Sequence, residues 1–269
     1  MALMAIETPD IVRAPRSDVE AAIVALQEIP EASERVLALI VRFQKMLVSG
    51  SVEAVEAFDW QKQYGAAVAT LEKFGLGGGN LPTLEQIQGA FSVEKKAAIS
   101  TLLEPKLLLV PNISFAAKVL VIDTSRLAPR KTYVSEGDFG SISDAAKEQA
   151  TAWQPVVVEG MREMPIAAND DVNSTLGMRI DAAKKHRHPH AGGVDSNQYA
   201  VLQMDGLKNG APVDCQTWTI LDEDKALEDN VVPFGGWDDG RVGFGGNRAW
   251  CVDDGARFRS SIGGDEITV

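Results

Sequence analysis

The chain has 269 residues, 45% of them hydrophobic and 24% charged, which is enough apolar material to bury a core and argues against wholesale disorder. Its net charge of −12 and pI near 4.8 argue against a phosphate-backbone footprint, so nucleic acid is not an expected partner. Met1–Pro15 has no charged n-region followed by an apolar h-region, and the most apolar run, Leu107–Val110, is too short to span a bilayer. A cytoplasmic protein without membrane insertion is therefore expected, with non-classical export or surface display left open. The two cysteines, Cys215 and Cys251, lack CxxC spacing and read as free thiols.

In chain order, the first hundred residues read as helices. Ser17 to Glu20 is a capping-box pattern, with Val19, Ile23 and Leu26 at helical spacing until Pro30. Val36, Leu39, Ile40, Phe43 and Leu47 share a second helical face that stops at Gly50. A third helix runs from Ser51 towards Phe74, Thr83 to Gln86 is another capping box, and Ser92 to Glu104 reads as a final helix. Residues 1–104 are thus expected to form a helical N-terminal region serving attachment or assembly, and residues 105–269 a separate α+β domain. In that domain Lys106–Pro111 and Pro155–Gly160 read as buried strands, Ser114–Leu120 and Asp144–Ala150 as short helices, Asn197–Leu207 as a helix stopped by Asn209-Gly210, and Gln216–Leu221 as a strand.

Several patterns suggest chemistry and fall short of it. Gly75–Gly79 follows a helix and lacks the Lys-Ser/Thr of a phosphate loop, so it reads as a hinge between helices. His186, His188 and His190 alternate and would share one face of an extended segment, but Lys184, Lys185 and Arg187 adjoin them and would repel a cation; a solvated basic loop is expected, and no metal. There is no Gly-x-Ser-x-Gly elbow and no His-Glu-x-x-His. The acidic pairs Asp170/Asp171 and Asp222/Asp224 fit turn and cap roles. No catalytic residue and no cofactor is expected, and the chain reads as a binding protein, not an enzyme.

The segment Val232–Ile262 is different. Trp237, Val242, Phe244 and Phe258 can anchor a core and are interleaved with glycine, aspartate and small polar residues. In Arg241–Gly245 even positions share one face and odd positions the other, and Ala256–Ile262 alternates as a closing strand. Glycine costs backbone entropy and adds no packing in a strand, so stability alone does not account for its abundance here.

These residues resemble the variable region of the target proteins of diversity-generating retroelements, of the kind found in candidate-phylum bacteria and phages. The likeness lies in Trp237, then Arg241-Val242-x-Phe244, a spacer of small and polar residues, and Ala256-Arg257-Phe258-Arg259-Ser260-Ser261. Upstream, Pro105–Pro111, Val158-Glu159-Gly160, the run from Asp170 to Ile180 and Thr217-Trp218-Thr219 are similar to family segments in the same order. The resemblance covers about residues 105–262. It implies a C-type-lectin-like fold whose first and last strands pair, with a C-terminal variable region at about 235–259 that faces a ligand. A retroelement of this kind rewrites adenines, scattering asparagine codons to residues such as Asp, Gly, Ser, Cys, Arg and Ala. The resemblance marks Asp238, Asp239, Gly243, Gly245, Gly246, Asn247, Ala249, Cys251, Asp253, Asp254 and Gly255 as candidate variable, ligand-binding positions. Trp250 joins them as an aromatic contact, although no asparagine codon reaches tryptophan by this route, so it is either scaffold or drawn from a different codon. Trp237, Arg241, Val242, Phe244, Arg257, Phe258 and Arg259 would be scaffold.

The expected partner is a protein or other macromolecular ligand, and a homo-oligomer is compatible with the sequence. Because lectin folds also include calcium-dependent sugar binders, Asp238/Asp239 with Asp253/Asp254 are a candidate Ca²⁺ site, but one that lacks further oxygen ligands. Two alternatives remain at this level: a formylglycine-generating-enzyme-like oxidase using Cys215 and Cys251, and a structural or assembly protein acting through its helical region.

Overall fold

Side-chain caps set where the helices start, and at Thr83 and Ser92 they do so where the sequence places them. In the computed structural model, which describes residues 58–77, 80–135, 149–165, 171–223 and 230–269, helix α1 (Trp60–Lys73) opens on Asp59, whose Oδ1 accepts from the Lys62 N–H at 2.9 Å. The Thr83/Gln86 capping box is complete in both directions and starts α2 (Leu84–Gly89). Helix α3 (Val93–Ile99) is shorter than the spacing predicts: the Ser100 and Thr101 hydroxyls donate to the carbonyls of Ala97 and Ala98, and the chain turns through Glu104 at φ 46°. The two helices expected before Gly50 and most of the one expected at Asp144–Ala150 lie outside the described residues, and the third, expected from Ser51, opens instead at Trp60 because the Asp59 carboxylate caps it there.

Strand β1 (Pro105–Pro111) follows, then α4 (Phe115–Ser125), β2 (Tyr133–Val134), β3 (Ala152–Glu159), α5 (Leu176–His186), β4 (Gly192–Gly193) and α6 (Ser196–Lys208). The chain closes with β5 (Trp218–Ile220), β6 (Val231–Asp238), β7 (Arg241–Arg248), β8 (Ala256–Phe258), β9 (Ser260–Gly263) and β10 (Ile267–Thr268). One sheet has the order β1-β3-β9-β4, with β10 also on β3, and the other has the order β2-β7-β6-β5-β8. The chain is therefore α+β. Strand β3 separates the first strand from β9 and β10, so the expected direct pairing of first and last strands does not occur.

The apolar runs of β1 and β3 are buried on both faces. Leu107, Leu109, Trp153, Val157 and Ile262 share a core with Ala67, Leu71, Ile87, Ala90, Phe91, Ala98 and Ile99 of the helical segment. Leu108, Val110, Val156 and Val158 join a second core with Val119, Ile122, Tyr199, Leu202, Val242 and Phe244. The boundary expected at 104/105 runs through the first of these cores, and the compact unit begins at Phe58. No helix among the described residues is long and apolar enough to cross a membrane.

Arg259 sits where the chain leaves the second sheet at β8 and enters the first at β9. Its guanidinium is fully buried and pairs with Asp214 Oδ1 at 2.7 Å, while donating to Thr219 Oγ1 and to the carbonyls of Glu159 and Met161. Tyr199 and Thr219 donate to the other Asp214 oxygen, and burial, followed by the nearby Asp214 charge, pushes the Tyr199 phenol well above its ordinary value. A charge pair this deep persists because every partner is satisfied.

Candidate ligand-binding surface

The alternation read in β7 determines which side of the second sheet is free. Val242 and Phe244 are fully buried in the core, and Phe244 meets Tyr199 and Phe115 edge to face. Arg241, Gly243 and Gly245 point the other way, opposite Asp238, Gly236 and Phe234 of β6, and Gly236 in turn pairs with Trp218 of β5. Tyr133 pairs with Gly243 from the far side, through the parallel contact of β2 with β7. Together these residues line a cleft of about 270 Å³ whose walls include Tyr133, Trp218, Phe234, Asp238, Arg241 and Gly245. Helix α5 covers the neighbouring part of the same face, where Leu176 and Ile180 pack on Ile220, Val232 and Ala256.

The glycines of this hairpin are of two kinds. A Cβ on Gly235 would lie 2.4 Å from the Tyr199 ring, and one on Gly236 would lie 2.4 Å from the Trp218 ring. A Cβ on Gly243 would meet Trp218 at 3.5 Å and one on Gly245 would meet Phe234 at 3.8 Å, both ordinary van der Waals distances. Gly255 is intermediate, with Asp253 Oδ1 at 3.3 Å and Trp218 Cδ1 at 3.5 Å. Gly243 is buried, not exposed as an outward-facing position was expected to be, because Trp218 shields it. Gly246 belongs to the even, inward series and reaches the cleft only through its backbone.

The loop from Ala249 to Gly255 is held by its main chain. The first free N–H groups of α5 donate to it: Leu176 to the Cys251 carbonyl at 2.9 Å, and Gly177 to the Ala249 carbonyl at 2.8 Å. Arg179, 2% exposed, donates to the carbonyls of Asp253 at 2.5 Å and Ala256 at 2.6 Å, and Arg257 donates to the Asp254 and Ala256 carbonyls. Ala249 N–H reaches the Asn230 carbonyl, and Trp218 N–H the Gly255 carbonyl. Few side-chain contacts of the candidate positions are involved: Asn247 Oδ1 accepts from Arg248 N–H, Asp253 Oδ1 accepts from Gly255 N–H, and Ala249 and Cys251 lean on the α5 cluster. Trp250 is 70% exposed and Asp254 is exposed, as is Val252, which sequence reading passed over.

Asp239 takes the φ 47° position of the β6–β7 turn, ahead of Gly240 at φ 82°, and pairs with Arg130. Strands β6 and β8 flank β5, so two strand spacings, roughly 10 Å, separate Asp238 from the turn carrying Asp253 and Asp254. One cation with ligands at about 2.3–2.6 Å does not bridge that gap, and no cluster of metal-ligating side chains occurs among the described residues.

The other motifs resolve into structural parts. Helix α5 runs through His186 and Arg187 ends it in extended conformation, so the three histidines do not share one strand. His188 and His190 sit ring to ring at 5.7 Å. Arg187 and Lys184 pair with Asp222, where burial raises the carboxyl and the Arg187 and Gly193 hydrogen bonds, with both cationic charges, outweigh it to lower the net value. Gly75 adopts φ 71° as α1 ends, with Leu76 N–H returning to the Leu71 carbonyl; this is a helix stop, not a phosphate cradle. Asp170 and Asp224 lie outside the described residues. Cys215 and Cys251 are both free thiols in different surroundings, Cys215 against Arg162 and the Pro212 carbonyl, and Cys251 on the α5 cluster.

Sequence reading missed Tyr133, Trp218 and Arg179 as parts of the surface. Trp218 carried a signal: in Thr217-Trp218-Thr219 the buried Thr219 sends its neighbour to the outer face. Arg179 and Tyr133 carried none, since their partners are far along the chain. No protein-family model, no curated protein and no solved structure matches this chain.

Proposed function

We propose that this protein is a ligand-binding protein diversified by a retroelement, displaying exchangeable side chains on a lectin-like scaffold. The observation that carries the reading is the loop 249–255, fixed by main-chain hydrogen bonds and by Arg179 and Arg257 rather than by its own side chains. A surface built this way changes its chemistry without losing its shape, which is what a variable binding face requires. The room around Gly243 and Gly245 supports the same reading. The ligand is a protein or other macromolecule, and the attachment or assembly role expected of the helical region passes to residues before Phe58, because residues 58–103 are part of the display domain.

The test is a library varying Asp238, Gly243, Gly245, Asn247, Ala249, Trp250, Cys251 and Asp254 together, scored for folded protein by thermal melting. Most members are expected to melt within a few degrees of the parent. Sequencing the parent locus should reveal a reverse transcriptase and a near-copy of the 3′ end differing mainly at adenines. The reading fails if the library mostly unfolds, or if related loci vary no more at 243–255 than elsewhere.

A further inference from the structure

The reading of this face as a binding surface leaves open what its cleft receives, and the unvaried residues of the cleft narrow the choice. Arg241 is half-buried, its guanidinium stands 5.2 Å from the centre of the Tyr133 ring, and its Nε is buried with no hydrogen-bond partner. Among the described residues Arg241 makes no ion pair, although Asp238 is its partner in the strand register. A propped guanidinium whose donors are unused is a fork for a carboxylate. Beside it the row Tyr133, Gly243, Gly236, Trp218 crosses three strand spacings, roughly 14 Å, and its two central members carry no side chain. Trp218 leans over that gap, and Phe234 stands edge to face with it at 5.4 Å. The Trp218 ring fills the half of the row over Gly236, and the room that remains lies beside Gly243 and Gly245, between Tyr133, Trp218 and Phe234, next to the unpaired Arg241 cation. The cleft's volume of about 270 Å³ lies just under the roughly 300–1,000 Å³ of small-molecule pockets, room for one planar group.

We propose that this cleft binds an aromatic carboxylate, with the ring in the slot between Tyr133 and Trp218 and the carboxylate on Arg241. Tyr133, Trp218 and Arg241 are not among the candidate variable positions, so variants that keep a small residue at 243 would keep this chemistry while positions such as Asp238 and Gly245 at the rim select among ligands. A free aromatic acid and a polypeptide ending in an aromatic residue share the recognised group.

The test is an NMR titration of the full chain read at the arginine Nε–H resonances. Hippurate serves as the free acid and its neutral amide as the control, and acetyl-Gly-Gly-Phe, with a free or amidated C-terminus, represents the polypeptide source. Hippurate or the free-acid peptide is expected to shift the Arg241 signal with a millimolar Kd, and the tighter of the two identifies the source. Each neutral amide should bind at least tenfold more weakly. Arg241→Gln should weaken the acid at least tenfold with an unchanged melt, Asp238→Asn should strengthen it two- to threefold, and Gly243→Val should close the slot. The proposal is overturned if neither acid binds by 10 mM, if the amides bind as well, or if Arg241→Gln binds like the parent. A folded, tolerant library with no acid binding sinks this inference alone; acid binding by a protein whose library unfolds sinks diversification alone.

Discussion

Strands β6 and β7 form one hairpin, carry the same kind of glycine, and use it in opposite ways. In β6, Gly235 and Gly236 sit where the Tyr199 and Trp218 rings leave no space for a methyl group. In β7, Gly243 and Gly245 face the cleft at ordinary contact distances. The difference comes from the layers on either side: β6 is squeezed between a buried tyrosine of α6 and the tryptophan of the adjacent β5, whereas β7 lies one strand further from β5 and the same tryptophan ring reaches it only at contact distance. A glycine-rich stretch is therefore two things at once, a packing device on one strand and, on the next, positions with room for a side chain.

The comparison breaks most severely at the clamp beneath both strands. Arg259→Met leaves Asp214 buried without its cation and should cost about 3–5 kcal/mol, read by urea denaturation. Next come the β6 glycines: Gly235→Ala forces a methyl against Tyr199 and should cost about 1–3 kcal/mol, while Gly243→Ala and Gly245→Ala should stay within about 0.5 kcal/mol of the parent in the same experiment. Equal losses on both strands would erase the distinction. Arg179→Leu takes a donor from the Asp253 carbonyl, while the Ala256 carbonyl keeps Arg257, a cost of about 1–3 kcal/mol, and hydrogen exchange should quicken in the 249–255 loop before it does in the hairpin.

The smallest effect is one of pH and lies away from the hairpin. Burial raises the Asp205 carboxyl, but Lys106, Thr70 and Lys208 outweigh it and hold the net value below the ordinary carboxylate range. A carboxyl depressed in the folded state contributes stability above its unfolded pKa, about 3.9, and loses it as pH falls through the folded value. Stability should therefore decline below about pH 4, and Asp205→Asn should flatten that part of the profile. An unchanged profile would show that Asp205 does not drive it.

Local chemistry explains how much was legible from the residues alone. The Thr83/Gln86 box, the buried runs of β1 and β3, the α6 stop at Asn209-Gly210 and the inward Val242 and Phe244 all follow from interactions within a few residues or from the two-residue pleat. What misled was also local. Gly243 read as exposed because strand period gives a side, not the neighbour on that side, and residues 1–104 read as a separate region because helical periodicity does not reveal that the buried face of its segment from Phe58 onward rests on β1.

The sequence by itself determined the α+β elements and the interleaving of anchors with small residues around Trp237–Arg259, since caps, turns and alternation act at short range. Tertiary structure alone decided that Trp218 and Tyr133 face each other across two glycines, that Arg179 holds a loop more than seventy positions away by its carbonyls, and that Arg259 ties two sheets together. Those contacts join segments with no local reason to meet, and only the burial of both sheets' apolar faces brings them within reach.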